Sequence, residues 1–290
     1  MALSEHIRSY STPIEPLPTG AISRLGKAEG IRAVVFDVYG TLFISGSGDI
    51  SLARNEDRSP AIVASLETAG FQVTESAAPW SKAFLHQIET ARQARKEQGI
   101  SYPEVRIEEV WQALVEKAAK DGWIRGTGSI ELAIVDHECR VNPCWPMPGL
   151  QETLEELGRR KLALGIVSNA QFYTPLLFKA LLSKPLEDFG LEEARSVWSY
   201  IEREGKPSRN LYRKLKDKLA TEGIAPRETL YVGNDIRNDI WPAGDLGFRT
   251  VLFAGDERSL RWRKEDPDCQ NVEPEFIITE LDQLLQIIAP

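Results

Sequence analysis

The sequence predicts an α/β fold, with a Rossmann-like, doubly wound parallel sheet as core and an α-helical cap domain inserted into it. Three observations predict it. Short apolar runs recur along the chain, amphipathic helical segments lie between most of them, and one stretch of about 100 residues is helical throughout.

Taken in order, residues 1–30 read as an irregular surface arm. They hold Glu5, Arg8, Glu15 and several prolines and lack an apolar run, so they are expected to be neither signal peptide nor anchor. Ala33–Phe36 is the first strand, with Val34-Val35-Phe36 apolar enough to be buried on both faces. Further strands are expected at Leu162–Val167, Ser196–Ser199, Leu230–Val232, Thr250–Phe253 and, more weakly, Glu275–Ile278. Helices are expected at Leu150–Lys161, Phe172–Leu182, Arg209–Thr221 and Leu281–Ile288. Leu150, Leu154 and Leu157 share one face of the first of these.

Residues 45–145 break the alternation. Ser59–Gly70, Trp80–Gln98, Ile107–Lys120 and Ile130–Cys139 show apolar recurrences at three and four, with no convincing buried strand between them. The segment reads as a helical cap between the two parts of the core, 31–44 and 146–290. The proline-rich run from Val141 to Pro148 reads as the return hinge, and the Gly/Ser run from Phe43 to Gly48 as a flexible one. Trp80, Trp111, Trp123 and Trp145 are expected to pack the cap helices, with room for one of them to line a pocket.

The chain has 290 residues, 42% hydrophobic and 27% charged, with a net charge of −8. This balance suits a soluble globular protein and argues against a broad nucleic-acid surface. No run is long and apolar enough to span a bilayer. Three cysteines, Cys139, Cys144 and Cys269, fit free thiols in a reducing, cytoplasmic setting, and their spacing does not make a zinc site. His6, His86 and His137 are expected at the surface or on helices, not as a catalytic set. The run Arg258–Lys264 is expected to be a solvated helix face.

Four pieces follow strand-like runs. The first is Asp37-Val38-Tyr39-Gly40-Thr41, where a buried strand ends in a carboxylate. In an open α/β sheet that is the ligand-binding end, and a carboxylate there can attack an electrophile or hold a metal. It can equally cap a turn. Gly40 permits a tight turn near a ligand, and Thr41 offers a hydroxyl and an N–H to an anion. The second piece is Ser168-Asn169, and the third is Lys206 in Gly205-Lys206-Pro207. The fourth, Gly233-Asn234-Asp235-Ile236-Arg237-Asn238-Asp239, has two acids four apart, which suit Mg²⁺ or the N-terminus of a helix.

This ordered set resembles the four motifs of the haloacid dehalogenase superfamily of hydrolases, and the helical insertion looks like that family's cap. The resemblance implies that Asp37 is the nucleophile and forms an aspartyl ester that water then cleaves. It implies that Ser168 and Asn169, with Gly40 and Thr41, meet the substrate, and that Lys206 neutralises charge. It also implies Mg²⁺ held by Asp37, Asp235, Asp239 and the Tyr39 carbonyl, and a small phosphorylated substrate. Two departures stand out. Family phosphatases carry a second, acid–base Asp where this chain has Tyr39, and a phenol is a poor base at neutral pH. The residue after Gly233 is Asn234. Tyr39 is similar to the metal-independent 2-haloacid dehalogenases, yet their substrate-gripping arginine has no counterpart before Arg54. The alternatives are therefore such a dehalogenase, or a catalytically weak phosphate-ligand-binding protein on the same fold.

Overall fold

A computed structural model describes residues 2–47 and 57–288. Gly48 and Arg54, named above, lie outside them. The chain opens with helix α1 (Leu3–Tyr10), not an irregular arm. The helix buries Ser4, His6 and Ile7 because it packs on two other helices, contacts that the short N-terminal sequence does not reveal. Residues beyond it run without regular structure to β1 (Ala33–Phe36), which is buried at every position.

β2 (Phe43–Ser45) leads to α2 (Ser59–Thr68), β3 (Gln72–Val73), α3 (Trp80–Glu97), α4 (Ile107–Lys120), β4 (Ile124–Arg125) and α5 (Ile130–Val141). The four expected helices are present. β3 and β4 pair antiparallel and are too short to leave a periodic trace. The expected return hinge is in part a strand, β5 (Cys144–Pro146), antiparallel to β2. Trp80 and Trp123 meet edge-on at 5.1 Å inside this helical segment.

The rest of the chain follows as α6 (Leu150–Arg159), β6 (Ala163–Ser168), α7 (Leu176–Leu182), β7 (Val197–Trp198), α8 (Ser199–Glu202), α9 (Arg209–Ala220), β8 (Thr229–Gly233), α10 (Trp241–Asp245), β9 (Arg249–Phe253), β10 (Phe276–Ile278) and α11 (Leu284–Ile287). Phe172–Pro175 stays a turn, which delays α7, because Pro175 supplies no N–H for a helix interior. The sheet has six parallel strands in the order β10-β9-β8-β1-β6-β7. β1 lies between β6 and β8, so the loops leaving Phe36, Ser168 and Gly233 converge at one edge. Among the described residues, no helix is long and apolar enough to cross a membrane.

α1 contacts both α5 and α7. His6 Nε2 lies 2.8 Å from Asp136 Oδ1 of α5, and Arg140 Nε donates to Asp136 Oδ2 at 2.5 Å. His6 and His137 both lie on helices, α1 and α5, and both are buried. Asp136→Ala strips two buried or half-buried donors of their acceptor. It is expected to lower stability by about 1–3 kcal/mol in urea unfolding.

Candidate active site

Asp37 stands one residue past β1, and its backbone N–H donates to Val232 O at 2.9 Å, which ties the loop to β8. Lys206 Nζ donates to Asp37 Oδ1 at 2.7 Å and to Asp239 Oδ1 at 2.6 Å. All three side chains are nearly inaccessible. The backbone N–H of Lys206 donates to Asn169 Oδ1 at 2.8 Å, so the second motif aims the third. Asp239 Oδ2 accepts from the N–H groups of Asn234 (3.1 Å) and Asp235 (3.0 Å), and its Oδ1 from the Tyr231 hydroxyl.

Burial disfavours the Lys206 ammonium, but Asp239 and Asp37 outweigh it and hold the lysine above its ordinary range. Burial pushes Asp239 up to about 7 despite the pull of Lys206, and the nearby charges of Asp37 and Asp235 push the same way. The floor of the site is thus one cation shared by two acids.

Two glycines make this closeness possible. Gly40 has φ +79°, and a Cβ there would lie 2.4 Å from Ser259 Cβ. The close approach that this glycine permits is to the side chains of Ser259 and Asn234. At Gly233 a Cβ would lie 2.3 Å from Asp239 Cγ.

A cavity of about 430 Å³ opens above the floor. Asp37, Tyr39, Asn169, Lys206, Asn234, Asp235 and Asp239 line it from below. Gly40, Thr41 and Ser168 do not line it. Thr41 is buried and donates to Asn234 Oδ1 at 3.1 Å, which makes it a strut between the first and fourth motifs. Ser168 is also buried, and its hydroxyl faces the Asn169 carbonyl at 3.4 Å. The helical segment supplies the upper wall, including Arg58, Phe84, Arg92, Trp111 and Glu138.

The basic run Arg258–Lys264 is not a helix face. It is irregular chain laid against the fourth motif, with Arg261 N–H donating to Asn234 O and Ile236 N–H to Arg261 O, both at 2.9 Å. From it Arg263 makes a two-pronged pair with Asp235, Nε to Oδ1 at 3.0 Å and Nη2 to Oδ2 at 2.6 Å. Asp235 Oδ1 also accepts from the N–H groups of Arg237 and Asn238. Sequence reasoning missed this arginine. The run itself was visible, but nothing in it says which acid it covers.

These contacts bear on the expected Mg²⁺ set. Both oxygens of Asp235 face Arg263, Asp239 is held by Lys206 and two amides, and the Asn234 amide oxygen takes the Thr41 hydroxyl. Among the described residues, no cluster of three or more histidine, cysteine or acidic side chains is arranged to hold a metal. As placed, these side chains do not fit a Mg²⁺ cage. The Tyr39 hydroxyl lies 2.9 Å from Thr174 Oγ1, and burial holds the phenol well above its ordinary range. It keeps its proton and cannot serve as a base.

A family model described as haloacid dehalogenase-like hydrolase matches residues 31–247. The chain belongs to this family. Among curated relatives of this haloacid dehalogenase-like hydrolase, a glyceraldehyde 3-phosphate phosphatase of Methanocaldococcus jannaschii is 26% identical over 258 residues, 89% of this chain and 97% of that protein. The rhythmically expressed gene 2 protein of Drosophila melanogaster is 26% identical over 142 residues, 47% of this chain. The hydrolase spans only about half of the fly protein's length, 52%. A 2-haloacid dehalogenase structure from Pseudomonas syringae pv. Tomato DC3000 shares the fold, with 20% identity and a TM-score of 0.50 over 88% of this chain and 97% of that one.

Removing Lys206 leaves two buried carboxylates without their cation. Lys206→Met is expected to cost about 3–5 kcal/mol in denaturant unfolding and to abolish turnover.

Proposed function

We propose that this hydrolase cleaves small phosphate monoesters through an ester formed on Asp37, with residues 45–145 as a cap over the site. The observation that carries this reading is the Lys206 ammonium 2.7 Å from Asp37 Oδ1 at the cavity floor. It keeps the carboxylate oriented toward the opening and puts positive charge where a transferred phosphoryl group would lie. Phosphoryl transfer needs such positioning and charge compensation above all. The archaeal relative named as a glyceraldehyde 3-phosphate phosphatase supports the choice of a phosphorylated substrate.

An Asp37 oxygen attacks phosphorus in line with the departing oxygen, and water then cleaves the aspartyl phosphate. Asn169 holds Lys206 in place and meets the substrate from the same side. Arg58 and Arg92, in the upper wall, attract an anion. The cation pairing of Asp235 and Asp239 favours a site in which Arg263 and Lys206 supply the charge compensation.

A second reading is displacement of halide from a 2-haloacid. Tyr39 in place of a second acid, together with the Arg263–Asp235 pair, favours it.

The test is phosphate release from an aryl phosphate and halide release from a 2-haloacid, each with Mg²⁺ and with EDTA, for wild type and Asp37→Asn. Phosphate release that persists in EDTA and falls to background in Asp37→Asn is expected. Halide release alone would select the second reading, and neither product would overturn both.

A further inference from the structure

Hydrolysis of an unactivated ester needs a proton for the leaving oxygen and a base for the water. Tyr39 supplies neither, since its phenol stays protonated and is engaged by Thr174. Among the described residues, the two carboxyl groups that the helical segment contributes to the cavity wall are Glu104 and Glu138.

Glu104 accepts from the Val105 N–H at 2.9 Å and from Ser199 Oγ at 3.3 Å, and it feels the charge of Arg92. Glu138, on α5, faces the Tyr39 side. Asn142 Nδ2 donates to its Oε1 at 3.0 Å, Tyr173 and Tyr39 line the cavity with it, and its charge reaches Tyr39. Among the described residues it has no ion pair. The titratable groups around it are Tyr39, Tyr173, Cys139 and Cys144, each pushed above its ordinary range mainly by burial, and one cation, Arg58. Glu138 therefore has one cation, Arg58, and otherwise neutral neighbours in the wall of the cavity that Asp37 and Tyr39 also line, where burial raises its own carboxyl.

We propose that Glu138 is the general acid and base of this hydrolase, reaching the reacting atoms from the helical segment. The proposal rests on the phosphatase reading above. In the first step an Asp37 oxygen bonds to phosphorus while the bond from phosphorus to the ester oxygen breaks. That oxygen keeps the electron pair and takes the Glu138 proton. In the second step the Glu138 carboxylate takes a proton from water as the water oxygen bonds to phosphorus. The bond to Asp37 breaks, and its electron pair restores the Asp37 carboxylate.

The experiment compares an alkyl phosphate with an aryl phosphate in wild type, Glu138→Gln and Glu104→Gln. In Glu138→Gln, alkyl phosphate turnover is expected to fall by about 100-fold or more, the range that general acid–base catalysis supplies. The aryl ester, whose oxygen leaves unaided, should give a burst of one equivalent of phenol and then slow turnover, because the water has lost its base. The alkaline limb of the wild-type pH profile on alkyl phosphate should disappear. Equal losses on both esters with an unchanged profile would overturn the proposal, as would the same pattern arising from Glu104→Gln. Wild type alone gives a second readout if the variant does not fold. With a proton donor in place, kcat/KM depends weakly on the acidity of the leaving alcohol, and a steep dependence would overturn the assignment. Phosphate release that survives Asp37→Asn would instead overturn the phosphatase reading, and the Glu138 proposal with it.

Discussion

The Lys206 ammonium, bonded to Asp37 and Asp239 at once, is the constraint to which the rest of the site is fitted. A buried cation is tolerated only with acids against it, and buried acids only with a cation between them. That requirement draws together the segments that follow β1, β7 and β8. It explains why Asn169 holds the lysine backbone and why Tyr231 turns its hydroxyl toward Asp239. It also explains why Gly233 carries no side chain where the Asp239 carboxyl lies against it. Each neighbour satisfies a polar group that burial would otherwise leave exposed to a low dielectric.

The alternation of apolar runs with amphipathic segments made the core legible. A parallel strand covered on both faces must be apolar at successive positions, and β1 is buried at all four. The same logic found even the short edge strand β10. It failed at α1, whose burial comes from partners more than 100 residues away, and at the two-residue strands β3 and β4, which have no period to detect.

The order of the four motifs along the chain is enough to bring Asp37, Asn169, Lys206 and Asp239 to one cavity, because strand order fixes where their loops meet. The pairing of charges was not legible. Asp235 and Asp239 look alike in sequence as acids four apart. Only the fold reveals that one is met by Arg263 from a run that reads as solvated surface, and the other by Lys206. Thr41 and Ser168 are the complementary case. A hydroxyl near Asp37 suggests contact with substrate, yet both side chains are buried outside the cavity lining, and Thr41 bonds Asn234 instead.

α1 spans the boundary between the helical segment and the core. It touches α5 on one side, where His6 and Tyr10 meet Asp136 and Arg140, and α7 on the other, where Arg8 reaches Ser183. The helical segment is thus fastened to the core through the first ten residues of the chain. Whatever grips or displaces that leading helix therefore pulls on α5, the helix that also carries Glu138.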